Sequence, residues 1–239
     1  VSLVTDLALV TDAGFTLTTG SFDTNGHNMT VYGTITLTGG TFTNAASNLH
    51  FYGDFVMNGG TFIAPANLYI YDDFTITAGT FTYNSGTVYF CGYDTAYNIT
   101  THNATFWNVI FTNVSGANNI TLYLKDSFTV GNDLTFTRPI GNHFYVADGV
   151  ASGSATITVN GNLAISVPSA STHEFVIGSS DPVYRFTIDL KGNFSMESLS
   201  PYQTWSRVNL NFTGTNNQTI THNSGYIDYG TWQINRTSE

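Results

Sequence analysis

Three carboxylates, Asp54, Asp72 and Asp73, stand in a stretch whose residue types recur about every 20 positions. In a stacked fold they come within one or two coils of each other, and two kinds of chemistry follow. A carboxylate pair roughly 5–10 Å apart in a cleft cleaves glycosides, and several oxygens together hold Ca²⁺. Neither signal is complete. Nothing in the sequence points to a cleft, and the calcium-binding nonapeptide GGxGxDxUx is absent, so a solvated acidic corner is the simpler reading. A uronate lyase needs a basic group, and no Lys or Arg precedes Lys125. The six histidines lack metal-ligand spacing. His102 and His222 recur in ITTHN and ITHN, which predicts one repeated structural position. Cys91, the single cysteine, excludes an internal disulfide and reads as a small filler. The expectation is a non-enzyme without cofactor, with Ca²⁺ at Asp54, Asp72 and Asp73 as the weaker alternative.

Binding chemistry has a stronger signal. Tyr32, Tyr52, Tyr71 and Cys91 fall in one row, and Thr30, His50, Tyr69 and Tyr89 in the next. An outward aromatic strip of that length suits packing against another subunit or stacking on sugar rings, unless loops of the same chain cover it. Thr16 and Thr18, Thr36 and Thr38, and Thr75 and Thr77 make outward rows of the kind ice-binding solenoids present, but Val56 and Asn58 interrupt them, and β-propensity alone places Thr on such a strand. Asn28, Asn48 and Asn67 predict an amide ladder at a corner. Nine N-x-S/T sequons occur. Asn98, Asn103, Asn113, Asn119, Asn193, Asn211, Asn217 and Asn235 are the glycosylation candidates, the strongest being Asn103, Asn113 and Asn119 in polar, loop-like sequence. Asn28 is disfavoured, because a glycan would break the ladder.

The elements that position these residues are repeats. FTLTTGSF at Phe15, ITLTGGTF at Ile35, FVMNGGTF at Phe55 and FTITAGTF at Phe74 start 20, 20 and 19 residues apart. MTVYG at Met29, LHFYG at Leu49, LYIYD at Leu68 and VYFCG at Val88 keep spacings of 20, 19 and 20. Such a period predicts stacked units, and apolar alternation within each unit predicts strands. The fold class is therefore all-β, a parallel β-solenoid (β-helix) with coils of about 20 residues. Gly33, Gly53, Asp72 and Gly92, and Gly20, Gly40, Gly60 and Gly79, mark corners where positive φ is tolerated. One coil cannot fold alone: about five buried apolar side chains at roughly 1.5–3 kcal/mol each face an ordering cost of about 1–2 kcal/mol for each of ~20 residues. Neighbouring coils must supply the difference.

The nine-residue consensus, apolar-x-apolar-x-(Gly/Asp)-x-apolar-x-apolar, returns as LYLKDSFTV at Leu122, ITVNGNLAI at Ile157 and IDLKGNFSM at Ile188. The wider spacing predicts longer coils or insertions in the second half, such as RPIGNHFYVADG and VPSASTHEFVIGSSDPVY. FTGTNNQTITHN at Phe212 parallels FCGYDTAYNITTHN at Phe90. Two modules are expected, 1–150 and 151–239, joined between Asp148 and Thr156. VSLV and LALV in residues 1–14 are expected to cover the open end of the first coil.

Charge narrows the partners. The net charge is −10 with only 9% charged residues, so nucleic acid is a poor partner. No apolar run is long enough for membrane insertion. A start at VSLVTD, without Met or signal peptide, fits a removed leader or a partial chain.

Repeats of the form GTF, NL-x-V-x-G-x-F-x-I and G-x-x-x-Q-T-I-T resemble those of prokaryotic secreted β-solenoid surface proteins: adhesin-like, autotransporter-passenger-like and cell-envelope structural proteins. The resemblance touches roughly residues 15–135 and 155–235. It implies an extracellular or cell-surface location and a structural or adhesive role, and carries over no catalytic residue. The expected function is a non-enzymatic structural protein that self-assembles, head-to-tail or laterally, into a filament, sheath or surface coat. Residues 1–12 or 226–235 would then complete a neighbour's sheet. The alternative is an adhesin binding glycans through Tyr32, Tyr52, Tyr71, Tyr69 and Tyr89. A polysaccharide-degrading β-helix enzyme and an ice-binding protein rank lower.

Overall fold

The computed structural model describes residues 1–44, 47–92, 96–114, 120–137, 144–149, 154–167, 175–178, 186–198, 203–205, 208–223 and 231–234. These residues form an all-β, parallel solenoid without helix. The predicted register holds residue for residue. Met29 pairs with Leu49, Leu49 with Leu68 and Leu68 with Val88, while Val31, Phe51, Ile70 and Phe90 stack behind them. Alternation explains it: in Met29–Val31, Asn48–Phe51 and Asn67–Ile70 the apolar positions are buried and the residues between them are only part-buried.

Each coil has three faces. One is a ten-stranded sheet from Leu7–Leu9 to Ile220–His222. The second begins at Phe15–Leu17 and Ile35–Leu37 and runs to Gln203–Trp205. The third begins at Ser21–Asp23 and Thr41–Thr43, continues through the far ends of the nine-residue strands Phe55–Ile63 and Phe74–Thr82, and proceeds as a six-stranded sheet from Thr105–Phe106 to Thr231–Ile234. The TF and SF pairs after the corner glycines are this third face. Their phenylalanines form an interior row in which Phe42–Phe62, Phe62–Phe81 and Phe81–Phe106 lie 5.1, 5.5 and 5.1 Å apart. Phe90, Phe111 and Phe136 make a second row at 5.4 and 5.0 Å. Each fully buried ring contributes about 1.5–3 kcal/mol of transfer free energy.

Coil length grows as expected. Hydrogen-bonded residues at one corner are 20 and 19 positions apart early in the chain and 29 and 31 positions apart later. Extra residues enter at corners while the faces stay in register. The three sheets run through the expected join, since Phe128–Val130 pairs with Thr156–Val159, Leu134–Thr137 with Leu163–Val167, and Phe144–Asp148 with Phe175–Ile177. One apolar core spans both sides of it.

Several expectations are corrected. Residues 1–14 do cover edges of the coil that starts at Phe15, but as further solenoid strands and not as a separate cap: Leu7–Leu9 pairs with Met29–Val31, and Ser2 bridges Asp23. Leu3, Leu7 and Leu9 reach the core, whereas Val1, Val4 and Val10 point to solvent. Gly20, Gly40, Gly60 and Gly79 do take positive φ, at 75°, 71°, 74° and 101°. Gly33 and Gly53 do not; they are glycines because an added Cβ would meet the preceding coil's backbone at 2.2 and 2.6 Å. The nine-residue consensus marks no single place in the coil. MTVYGTITL turns from the ten-stranded face to the second, LYLKDSFTV from the second to the third, and ITVNGNLAI from the third to the ten-stranded face. All three corners impose the same demand, two inward apolar pairs flanking a tight bend. The Phe90 and Phe212 echo is displaced likewise, and His102 and His222 are not equivalent: His102 is in a turn with φ of 54°, and His222 ends a strand of the ten-stranded face. Most of the two long insertions, residues 226–230, and the candidates Asn119 and Asn235 lie outside the described residues.

Candidate functional site

A period of two on the ten-stranded face turns Thr30, His50, Tyr69 and Tyr89 outward; Tyr32, Tyr52 and Tyr71, each just after its strand, and Cys91, inside Thr87–Gly92, form the neighbouring row. Parallel pairing in register makes these positions ladders. The Tyr32 and Tyr52 rings stack at 4.6 Å and 5°, and Tyr52 and Tyr71 at 4.3 Å and 4°. Beside them His50 stacks on Tyr69 at 4.3 Å and 1°, and Tyr69 on Tyr89 at 4.5 Å and 13°. The stacks are joined where His50 Nδ1 lies 3.1 Å from Tyr71 Oη.

Exposure falls along the strip. Tyr32 is 45% exposed, Tyr71 8% and Cys91 3%, so the surface is graded rather than uniformly open. Burial sets the electrostatics. It depresses the His50 pKa below the usual histidine value, because desolvation disfavours the imidazolium. It raises the Tyr71 phenol, with the Cys91 thiol and the Tyr52 and Tyr69 phenols adding to the effect. Tyr69 rises for the same leading reason, and the Cys91 thiol is pushed up to about 12. Cys91 is therefore a protonated, weakly nucleophilic thiol at neutral pH.

Ring geometry decides what the strip offers. Tyr52 and Tyr69 have both faces covered by neighbouring rings, so they present ring edges rather than faces, and their hydroxyls bond to those of Tyr71 and Tyr89 along the stacks. Tyr32, which ends its stack, is the member whose ring is most open.

The carboxylates are less united. Asp73 accepts from Asn98 N at 2.6 Å and from Asn98 Nδ2 at 3.2 Å, and Asp72 Oδ1 accepts from Asp73 N. Asp54 sits one coil before Asp73, and its pKa is raised by burial first and by the Asp73 charge second. Among the described residues no three His, Cys, Asp or Glu side chains are grouped to hold a metal ion.

The amide ladder is present and longer than its sequence signal. Asn48 N donates to Asn28 Oδ1 and Asn67 Nδ2 to Asn48 Oδ1, each at 2.9 Å. Asp6 precedes them, accepting from Asn28 N, and the pattern resumes at Asn108, Asp133, Asn162 and Asn193, the last accepting from Thr219 N. Apart from the Asn48–Asn67 rung, which is side chain to side chain, a short side-chain oxygen takes the backbone N–H at the entry to the next coil's strand of the ten-stranded face. The extension escaped sequence reading because coil length changes and Asp alternates with Asn.

Structure also sorts the sequons. Asn103 is exposed in a turn with φ of 57°, and Asn193 and Asn217 are exposed. Asn98 donates its amide to Asp73 and Asn211 its amide to Asp189, while Asn113 is only 5% exposed. In the Thr rows, Thr77 Oγ1 donates to Asn58 Oδ1 at 2.6 Å, so the interrupted array is tied together sideways. Compared with protein-family models, curated proteins and solved structures, the chain matches none.

Proposed function

We propose that this chain is a non-enzymatic structural protein of an extracellular surface, a building block of a filament, sheath or coat that associates with copies of itself through the aromatic strip. The supporting observation is the pair of ring stacks on the ten-stranded face. Stacking already fixes these side chains, so burying them against a second copy costs little further rotamer entropy. Their hydroxyl edges supply polar contacts that keep such an interface specific. Sedimentation of the full chain over a concentration series tests the proposal. Assembly that is lost in a Tyr32→Ser/Tyr52→Ser double variant is expected; a monomer at every concentration overturns it.

A second reading, an adhesin, is favoured by Tyr32 alone, because its ring is the most open in the strip. Its contact would be one sugar ring at Tyr32 plus hydroxyl edges, rather than a stacking platform.

A further inference from the structure

The face of the ten-stranded sheet brings a phenol and an imidazole together at the inner end of a ring stack whose other end is exposed. We propose that Tyr71 and His50 form a proton-coupled oxidation site, and that the Tyr32–Tyr52–Tyr71 stack conducts an oxidising hole from the surface to it. The site is that of the free chain, in which Tyr32 faces solvent, and it stands whether or not the strip also packs against a second copy.

Phenol chemistry sets the requirement. Removing one electron from a neutral phenol makes its O–H strongly acidic, so oxidation at neutral pH needs a base already in hydrogen-bond contact. Tyr71 has one in His50 Nδ1 at 3.1 Å. A neutral imidazole has one donor and one acceptor nitrogen, and burial favours the neutral form of His50. With its proton on Nε2, His50 accepts the Tyr71 proton at Nδ1. Burial equally keeps the Tyr71 phenol protonated beforehand.

The path is also present. Ring centroids 4.6 and 4.3 Å apart, at interplanar angles of 5° and 4°, put the three π-systems in van der Waals contact from exposed Tyr32 to buried Tyr71. An outer-sphere one-electron oxidant in solution meets Tyr32 and takes one electron from the stack. The hole settles on Tyr71 as its O–H proton moves to His50. The products are a neutral Tyr71 phenoxyl radical, a protonated His50 and the oxidant reduced by one electron. At Tyr32 the radical, its phenolic proton lost to water, would instead meet the Tyr32 radical of a second copy oxidised by a second equivalent of the same oxidant. The two couple through a carbon–carbon bond ortho to the oxygens, and each ring's displaced C–H proton moves to its own oxygen to restore the phenol. Relay to Tyr71 keeps the radical away from that reaction.

Flash photolysis of the full chain with ruthenium tris-bipyridyl and an electron-accepting quencher tests this, reading phenoxyl absorption and dityrosine fluorescence. Wild type should give a long-lived radical and little dityrosine. In Tyr71→Phe and in His50→Gln the hole should stay at Tyr32, with transfer inward slowed by roughly 10²-fold, the lower end of what a positioned proton acceptor contributes, so radical lifetime falls and dityrosine rises. Tyr32→Phe, a surface change that keeps the ring, should lower the radical yield in an otherwise unaltered fold. Wild-type lifetime and dityrosine in both Tyr71→Phe and His50→Gln would overturn the proposal, as would an undiminished yield in Tyr32→Phe.

Discussion

Single side chains here are governed by what the next coil places beside them. Asp54 shows the effect in its charge. Its folded-state pKa lies above the unfolded value through burial and the Asp73 charge, so the folded protein holds this proton more tightly than the unfolded chain. Stability from that group is present at low pH and is lost as pH rises through the raised pKa. Asp54→Asn should therefore raise the melting temperature at pH 7, and the gain should disappear below the unfolded carboxylate pKa; thermal melts across that range check the sign. The sequons follow the same logic. Glycan transfer needs a reachable amide nitrogen, so secretion of this chain from a glycosylating host should modify Asn103 and leave Asn113 bare. Peptide mass spectrometry reads both, and a modified Asn113 with a bare Asn103 would contradict the burial argument. Sequence reading ranked the two together, because the polar residues around Asn113 hide that it ends a strand whose alternate positions are buried.

Elements repeat where a corner's demands repeat, and the glycines separate two such demands. Gly20 and Gly40 share positive φ, but a Cβ at Gly20 meets nothing within 4 Å, whereas one at Gly40 lies 2.5 Å from the Gly20 carbonyl oxygen. Gly20→Ala should cost only the left-handed strain of about 1–2 kcal/mol. Gly40→Ala adds a backbone collision that separates two coils and should cost clearly more; paired denaturant titrations compare them directly. The early coils were legible because their lengths stay within a residue of one another, which puts equal residue types at equal positions. Legibility failed where one element type served several places. The corner consensus appears at all three corners of the coil, so matching it across the chain aligned Ile157 of the third face with Met29 of the ten-stranded face. The third face itself was hidden inside TF and SF pairs too short to read as strands. Most of the strip was visible as rows, but its burial gradient was not, since alternation gives direction without saying what covers the surface.

At the scale of the molecule, a solenoid has no centre to unfold around. Each coil buries its apolar residues against the coil before and the coil after, so stability is a sum of coil and interface contributions and damage should spread by nearest-neighbour coupling. Phe111 offers the test because it lies mid-stack between Phe90 and Phe136 and is fully buried. Phe111→Ala removes a ring from both interfaces and should cost about 3–5 kcal/mol. Hydrogen exchange should then accelerate most in Thr87–Gly92 and Leu134–Thr137, the strands paired with that of Phe111, and progressively less toward Met29–Val31. Leu9→Ala in the first coil should loosen Met29–Val31, its paired strand, and leave Leu134–Thr137 as protected as before. The contrast separates two physical pictures of the same fold. In a globular core both substitutions lower protection everywhere by the same free energy, because every amide exchanges through one global opening. Here the distance between coils should set the response, and equal acceleration in all strands for either variant would mean that the coils unfold as one unit.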